Sequence, residues 1–136
     1  MIEEELVHIL SQDATVSGIV ATRIYPVVMP TGTQFPALVY QRISTPRWNT
    51  LDNASDTPHA RFAFSCWGPT QVQVEQLAAA VMNVLAGYTG TDSDTGITIQ
   101  SCYLMDERDT WLWESGEETG NFRHDLDFEI AYTEPT

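Results

Sequence analysis

The chain contains no lysine: all six basic residues are arginine, they stand against 19 Asp and Glu, and the net charge is −13. Phosphate backbones and anionic bilayers are held by cationic side chains that displace counterions, so this deficit argues against a nucleic acid or a membrane surface as the bound partner. It leaves room for nucleic acid that passes nearby without being held. Cysteine is nearly absent too. Cys66 and Cys102 stand far apart, in no CxxC or metal-ligand spacing, each inside an apolar-patterned segment, and both read as reduced core or strand residues. No window approaches the roughly 18 consecutive apolar residues of a membrane span, and the opening MIEEELVHIL places acid where a secretory leader needs base. The expectation is a soluble protein made in a reducing cytoplasm.

Catalytic signatures are missing as well. There is no GxSxG, no Walker loop and no GxGxxG. His8, His59 and His124 fall on three separate segments without ligand spacing, and read as surface or half-buried residues. Asp92-Ser93-Asp94-Thr95-Gly96 begins like a calcium loop, but the position that needs glycine is Ile97 and the position that needs glutamate is Tyr103, so an ordinary polar turn is expected. Neither a metal nor another cofactor is implied.

What is present suffices for one domain over residues 1–136, since 43% of the residues are apolar and a chain of this length buries roughly two-thirds of its unfolded surface. Ile2, Leu6, Ile9 and Leu10 share a helical face behind Glu3, Glu4 and Glu5, giving a helix over about 2–11. Val16, Ile19 and Val20 suggest a second short helical turn, weakened by Gly18. Residues 23–28 form a short β-prone run that Pro26 and Pro30 confine to an edge. Strands are expected over 37–44 and 59–67. Thr70 to Gln73 has a capping-box pattern, and Val74, Leu77, Ala78, Val81, Met82 and Leu85 continue as an amphipathic helix stopped by Gly87. Ile97, Ile99, Ser101, Tyr103 and Met105 on one face alternate with Thr98, Gln100, Cys102 and Leu104 on the other as a further strand. In the last strand Phe122, His124, Leu126, Phe128, Ile130 and Tyr132 face the core, opposite a solvated acidic face of Arg123, Asp125, Asp127 and Glu129. The order predicts an α+β fold: a mostly antiparallel sheet of four to five strands with one long helix and an N-terminal helix on one face.

Two polar excursions, 45–58 and 106–120, carry Trp48 with Leu51 and Trp111 with Trp113. Tryptophan is enriched at binding hot spots, so these rings are candidate contact anchors; folding back as satellite core is the competing reading. Trp111 and Trp113 beside Glu117 and Glu118 could instead form a sugar-stacking platform.

The order of features resembles the tail-completion proteins of long-tailed bacteriophages, the tail terminators or tail-to-head joining proteins. The residues that carry the resemblance are Asp13-Ala14-Thr15-Val16, Arg23-Ile24-Tyr25-Pro26, Phe35 to Tyr40, Arg61 to Trp67 with the helix behind Gly68-Pro69-Thr70, Asp106 to Asp109, and Phe122 to Glu134. The resemblance implies a non-enzymatic virion protein, a homo-oligomeric ring of usually six copies on the tail tube that ends its growth and joins it to the head connector. Its partners would be itself, the tail tube protein and the connector protein, with DNA passing through unbound and no membrane. Its place would be the tail–head interface of the virion, after assembly in the host cytoplasm. Another connector or tail-tube role is the nearest alternative, and a small carbohydrate-binding module is a more distant one. Asp125, Asp127 and Glu129 are then candidate channel-facing acids, because like charge repels phosphate, and Trp48, Leu51, Trp111 and Trp113 are candidate subunit or tube contacts.

Overall fold

Six strands form one sheet in the order β1-β2-β3-β6-β5-β4 in a computed structural model that describes residues 2–28, 36–44, 59–93, 95–112 and 121–133. Along the chain come α1 (Ile2–Gln12), α2 (Ala14–Val20), β1 (Ile24–Pro26), β2 (Ala37–Ser44), β3 (His59–Gly68), α3 (Gln71–Leu85), β4 (Gly90–Thr91), β5 (Thr98–Leu112) and β6 (Asn121–Thr133). All pairings are antiparallel except β1 with β2, which is parallel. The expected four to five strands therefore become six, and the helices number three among the described residues. The added strand is β4, two residues inside a Gly/Thr/Asp run that reads locally as turn.

α2 and α3 each begin where the sequence offers an acceptor. Asp13 Oδ2 accepts from the Val16 amide at 3.0 Å, and Thr70 Oγ1 accepts from the Gln73 amide at 3.3 Å, satisfying first-turn donors that a helix cannot satisfy itself. Past α3, Gly87 takes φ +78°, a left-handed position that glycine enters without penalty.

The helices cover one face of the sheet. Ile2, Leu6, Ile9 and Leu10 of α1, Val16 and Val20 of α2, and Val74, Leu77, Ala78, Val81 and Leu85 of α3 are buried with Leu38, Phe62, Phe64, Cys66, Leu126, Phe128, Ile130 and Tyr132 from the strands. Phe64 meets Phe128 edge-on across β3 and β6, with centroids 5.7 Å apart. Gly68 lets β3 turn into α3: a Cβ there would lie 2.8 Å from Val74 Cγ2.

β5 departs most from the simple alternation. Bulges at Ile99/Ser101 and Leu104/Asp106 shift its phase twice, so Ile99 and Cys102 are both buried while Tyr103, expected on the same face as Ile99, stands 62% exposed. The strand also runs on to Leu112, so residues 106–112, expected as part of a polar excursion, pair with β6 instead. Cys66 and Cys102 are buried and free, on strands separated by β6. Two strand spacings of about 4.8 Å put their backbones beyond disulfide reach. Burial pushes the Cys102 thiol up to about 12 and Cys66 higher still, so neither is a nucleophile at neutral pH.

Candidate functional site

The sheet face that the helices leave uncovered is ordered by charge, and its far end is the hairpin of β5 and β6. Strand register lines up Ser65, Asp125 and Arg108 on one rung and Ala63, Asp127 and Asp106 on the next. Arg108 donates from Nη1 to Asp127 Oδ2 at 2.8 Å and to Asp106 Oδ2 at 3.1 Å, and from Nη2 to Asp127 Oδ1 at 3.4 Å. Two prongs on one carboxylate form the fork geometry that arginine makes and lysine cannot. Asp127 raises the Arg108 pKa still further, so the guanidinium is permanently charged.

Asp125 lies between the two arginines. Its Oδ2 is 3.1 Å from Arg123 Nε and 3.9 Å from Arg108 Nη2, and its side chain is only 8% exposed. Arg123 in turn lies over the Trp67 ring at 5.4 Å, a cation–π contact that helps to roof the carboxylate. This corrects the expected solvated acidic face. Asp127 and Glu129 keep partly exposed carboxylates, but Asp125 is walled in, because small residues across β3 leave its neighbours' long side chains free to close over it. Its Oδ1 has no hydrogen-bond partner among the described residues. Glu129 is 3.4 Å from His59 Nδ1.

On the other face of the same hairpin, His124 sits between two acids, with Nδ1 2.5 Å from Asp109 and Nε2 3.0 Å from Glu107. Two carboxylate acceptors require two donors, which only the imidazolium supplies. Burial lowers its pKa, but the hydrogen bonds and charges of Asp109 and Glu107 outweigh burial and raise it above 6.5. The sequence signal was available as an acid-x-acid pattern facing a histidine across a hairpin, and it was hidden because residues 106–112 did not read as strand.

Of the candidate contact residues, Trp48, Leu51 and Trp113 lie outside the described residues. Trp111 is on β5, paired in register with Phe122. The Asp92 loop closes on itself: Gly96 N donates to Asp92 O at 2.8 Å and Asp92 N to Ile97 O at 2.9 Å. Among the described residues no three His, Cys, Asp or Glu side chains converge as a metal site. A cleft of about 350 Å³ in the helix layer is lined by Ile9, Gln12, Asp13, Thr15, Asn83 and Tyr88 among others. The one carboxylate in its lining, Asp13, is committed to capping α2.

An α+β sheet with a helix layer on one side and an ordered lattice of ion pairs on the other offers surfaces to assemble on more than groups to react with. The family model described as Tail completion protein gp17 matches residues 4–133, and the chain belongs to that family. It is accordingly a bacteriophage-type structural protein of the virion tail. Among solved structures, a chain in the virion of a native gene transfer agent (GTA) particle superposes with a TM-score of 0.75 at 18% identity, covering 94% of this chain and 91% of that one, which shows a shared fold. No curated protein matches the sequence significantly.

Proposed function

We propose that copies of this protein form a hexameric ring on the last ring of the tail tube, end its growth, and present the opposite surface to the head connector. The observation that carries this reading is family membership over nearly the whole chain, residues 4–133. The partners are other copies of the chain, the tail tube protein and the connector protein; the role is structural and non-enzymatic. DNA slides through the lumen without being bound, in keeping with a net charge of −13 that repels phosphate. Asp127 and Glu129, with partly exposed carboxylates on the uncovered sheet face, are the proposed channel-facing acids; Asp125 contributes to that field from beneath Arg108 and Arg123. Trp48, Leu51, Trp111 and Trp113 are the proposed contacts to neighbouring subunits or to the tube.

Electron microscopy of tail tubes assembled with and without the purified protein tests the reading. A fixed tube length and an added ring at one end are expected. Tubes of unchanged length with no added ring would overturn it and favour another connector role.

A further inference from the structure

Charge is distributed along this chain with an unusual gap. Residues 14–51 hold no Asp or Glu and three of the six arginines, so the other two stretches carry all 19 acids. In the fold the described part of this acid-free segment becomes α2, in the helix layer, and β1 and β2, which make one edge of the sheet. Arg23, just before β1, donates to the carbonyls of Pro36 and Ile19 at 2.9 and 3.1 Å and has no carboxylate partner among the described residues, whereas Arg42 on β2 is paired with Glu3 of α1 at 2.6 Å. Beyond β1, Val27 and Val28 are 59% and 73% exposed, and Ile43 on β2 is 56% exposed.

The opposite edge has the complementary character. β4 pairs only with Thr98 and Ile99, so most of β5 is the true edge strand. It carries Asp106, Glu107 and Asp109 against Arg108, and β5 with β6 together hold six carboxylates to two arginines. The same strand presents Tyr103 and Met105, the latter 50% exposed. Among the described residues, five of the six large apolar side chains that stand exposed thus lie at the two ends of the sheet; Val72 on α3 is the other.

From this polarity we propose that the subunits join head to tail, the β1–β2 edge of one copy seated against the β5 edge of a second copy. The inference rests on the ring reading and specifies its joint. Two different, mutually complementary patches at opposite ends of one molecule make a heterologous interface, the kind that closes into a ring. Apolar contact among Val27, Val28, Tyr103 and Met105 is flanked by Arg23 on one edge and by the acids Asp106, Glu107 and Asp109 on the other, which offsets locally the repulsion between copies that each carry −13. The joint is made by side chains and not by an added β-ladder. Pro26 has no amide hydrogen, and Val27, at φ +62°, turns the chain out of strand geometry, so β1 cannot template another strand.

Two substitutions at exposed positions test this, Val28→Glu on one edge and Met105→Glu on the other, each checked for an unchanged melting transition. Native mass spectrometry in solution and ring counting on tail tubes report assembly. Each variant alone is expected to weaken ring formation by about 100-fold. Mixed together, the two retain one intact joint, between the β5 edge of the Val28→Glu chain and the β1–β2 edge of the Met105→Glu chain, so pairs form and nothing larger. Val28→Glu combined with Met105→Lys in one chain restores the ring. If the wild type forms rings and both single variants form them equally well, the joint is elsewhere and the ring reading survives. If the wild type forms no ring in solution or on tubes, the ring reading falls and this inference with it. Should either variant melt early, Val28→Ser and Met105→Ser replace them, with the same expectations at smaller amplitude.

Discussion

The hairpin of β5 and β6 joins two kinds of cohesion in one pair of strands. In its lower half, Ile99 and Cys102 pair with a strand whose Phe128, Ile130 and Tyr132 are buried under the helices. In its upper half, residues 106–112 pair with 121–127, and the described side chains of that stretch of β5 are charged: Arg108 with Asp106, Asp125 and Asp127 on one face, Glu107 and Asp109 with His124 on the other. Apolar burial is indifferent to salt and pH over ordinary ranges, whereas ion pairs respond to both. One continuous ladder therefore has a half that conditions hardly touch and a half that they can tune, and the tunable half is the one that projects charge at the sheet's edge.

The largest effect should come from the lower half. Phe128→Ala removes a fully buried ring in edge-on contact with Phe64 and should cost about 3–5 kcal/mol, read as a lower midpoint in denaturant-induced unfolding. Arg108→Ala should cost less, about 1–3 kcal/mol, because it leaves Asp127 without its fork and Asp125 with Arg123 alone. Its signature should be local: faster amide exchange over 106–112, with 98–104 nearly unchanged. A uniform acceleration along β5 would mean that the two halves open together.

The same division explains what could be read from the residues. α3 was legible because Val74, Leu77, Ala78, Val81 and Leu85 repeat at helical spacing, and β3 and β6 because aromatic and aliphatic side chains alternate every second residue. These signals are hydrophobic and local. The upper half of β5 carries neither: Asp106 to Asp109 alternate by charge partner and not by hydropathy, and their partners lie on a strand some 20 residues away, as the 2.8 Å contact of Arg108 with Asp127 shows. The bulge at Ile99/Ser101 further broke the alternation that would have set Tyr103 inside with Ile99 and left Cys102 outside. The burial of Asp125 was illegible for a related reason, since it depends on Arg108 and on Arg123 with Trp67, contributed by three strands.

Acidity sharpens the contrast through His124. Its folded pKa is raised above the ordinary 6.5 of the unfolded chain, so the stabilisation is fully present below about 6.5 and is lost as pH rises through the raised value. Protection of amides 106–112 should thus fall on going from about pH 6 to about pH 9, while that of 98–104 holds, and His124→Gln should abolish the difference. The imidazole titration followed by NMR should show a midpoint above 6.5; a midpoint below it would mean that burial prevails over Asp109 and Glu107.

The smallest effect is the most discriminating, because it acts far from the hairpin. Gly18 lies inside α2 with nothing within 4 Å of where a Cβ would be. Gly18→Ala therefore adds no clash and removes backbone freedom from the unfolded chain, for a gain of about 0.5–1 kcal/mol. α2 buries Val16 and Val20 in the same apolar cluster that backs the lower half of β5, so the gain should appear in global unfolding and in the slowest-exchanging amides of 98–104. Amides of 106–112, if they open through loss of ion pairs while the core stays folded, should exchange at their wild-type rate. An equal slowing there would show that they open only when the whole protein does, and the charged half of the hairpin would then be an extension of the core and not a separately tunable edge.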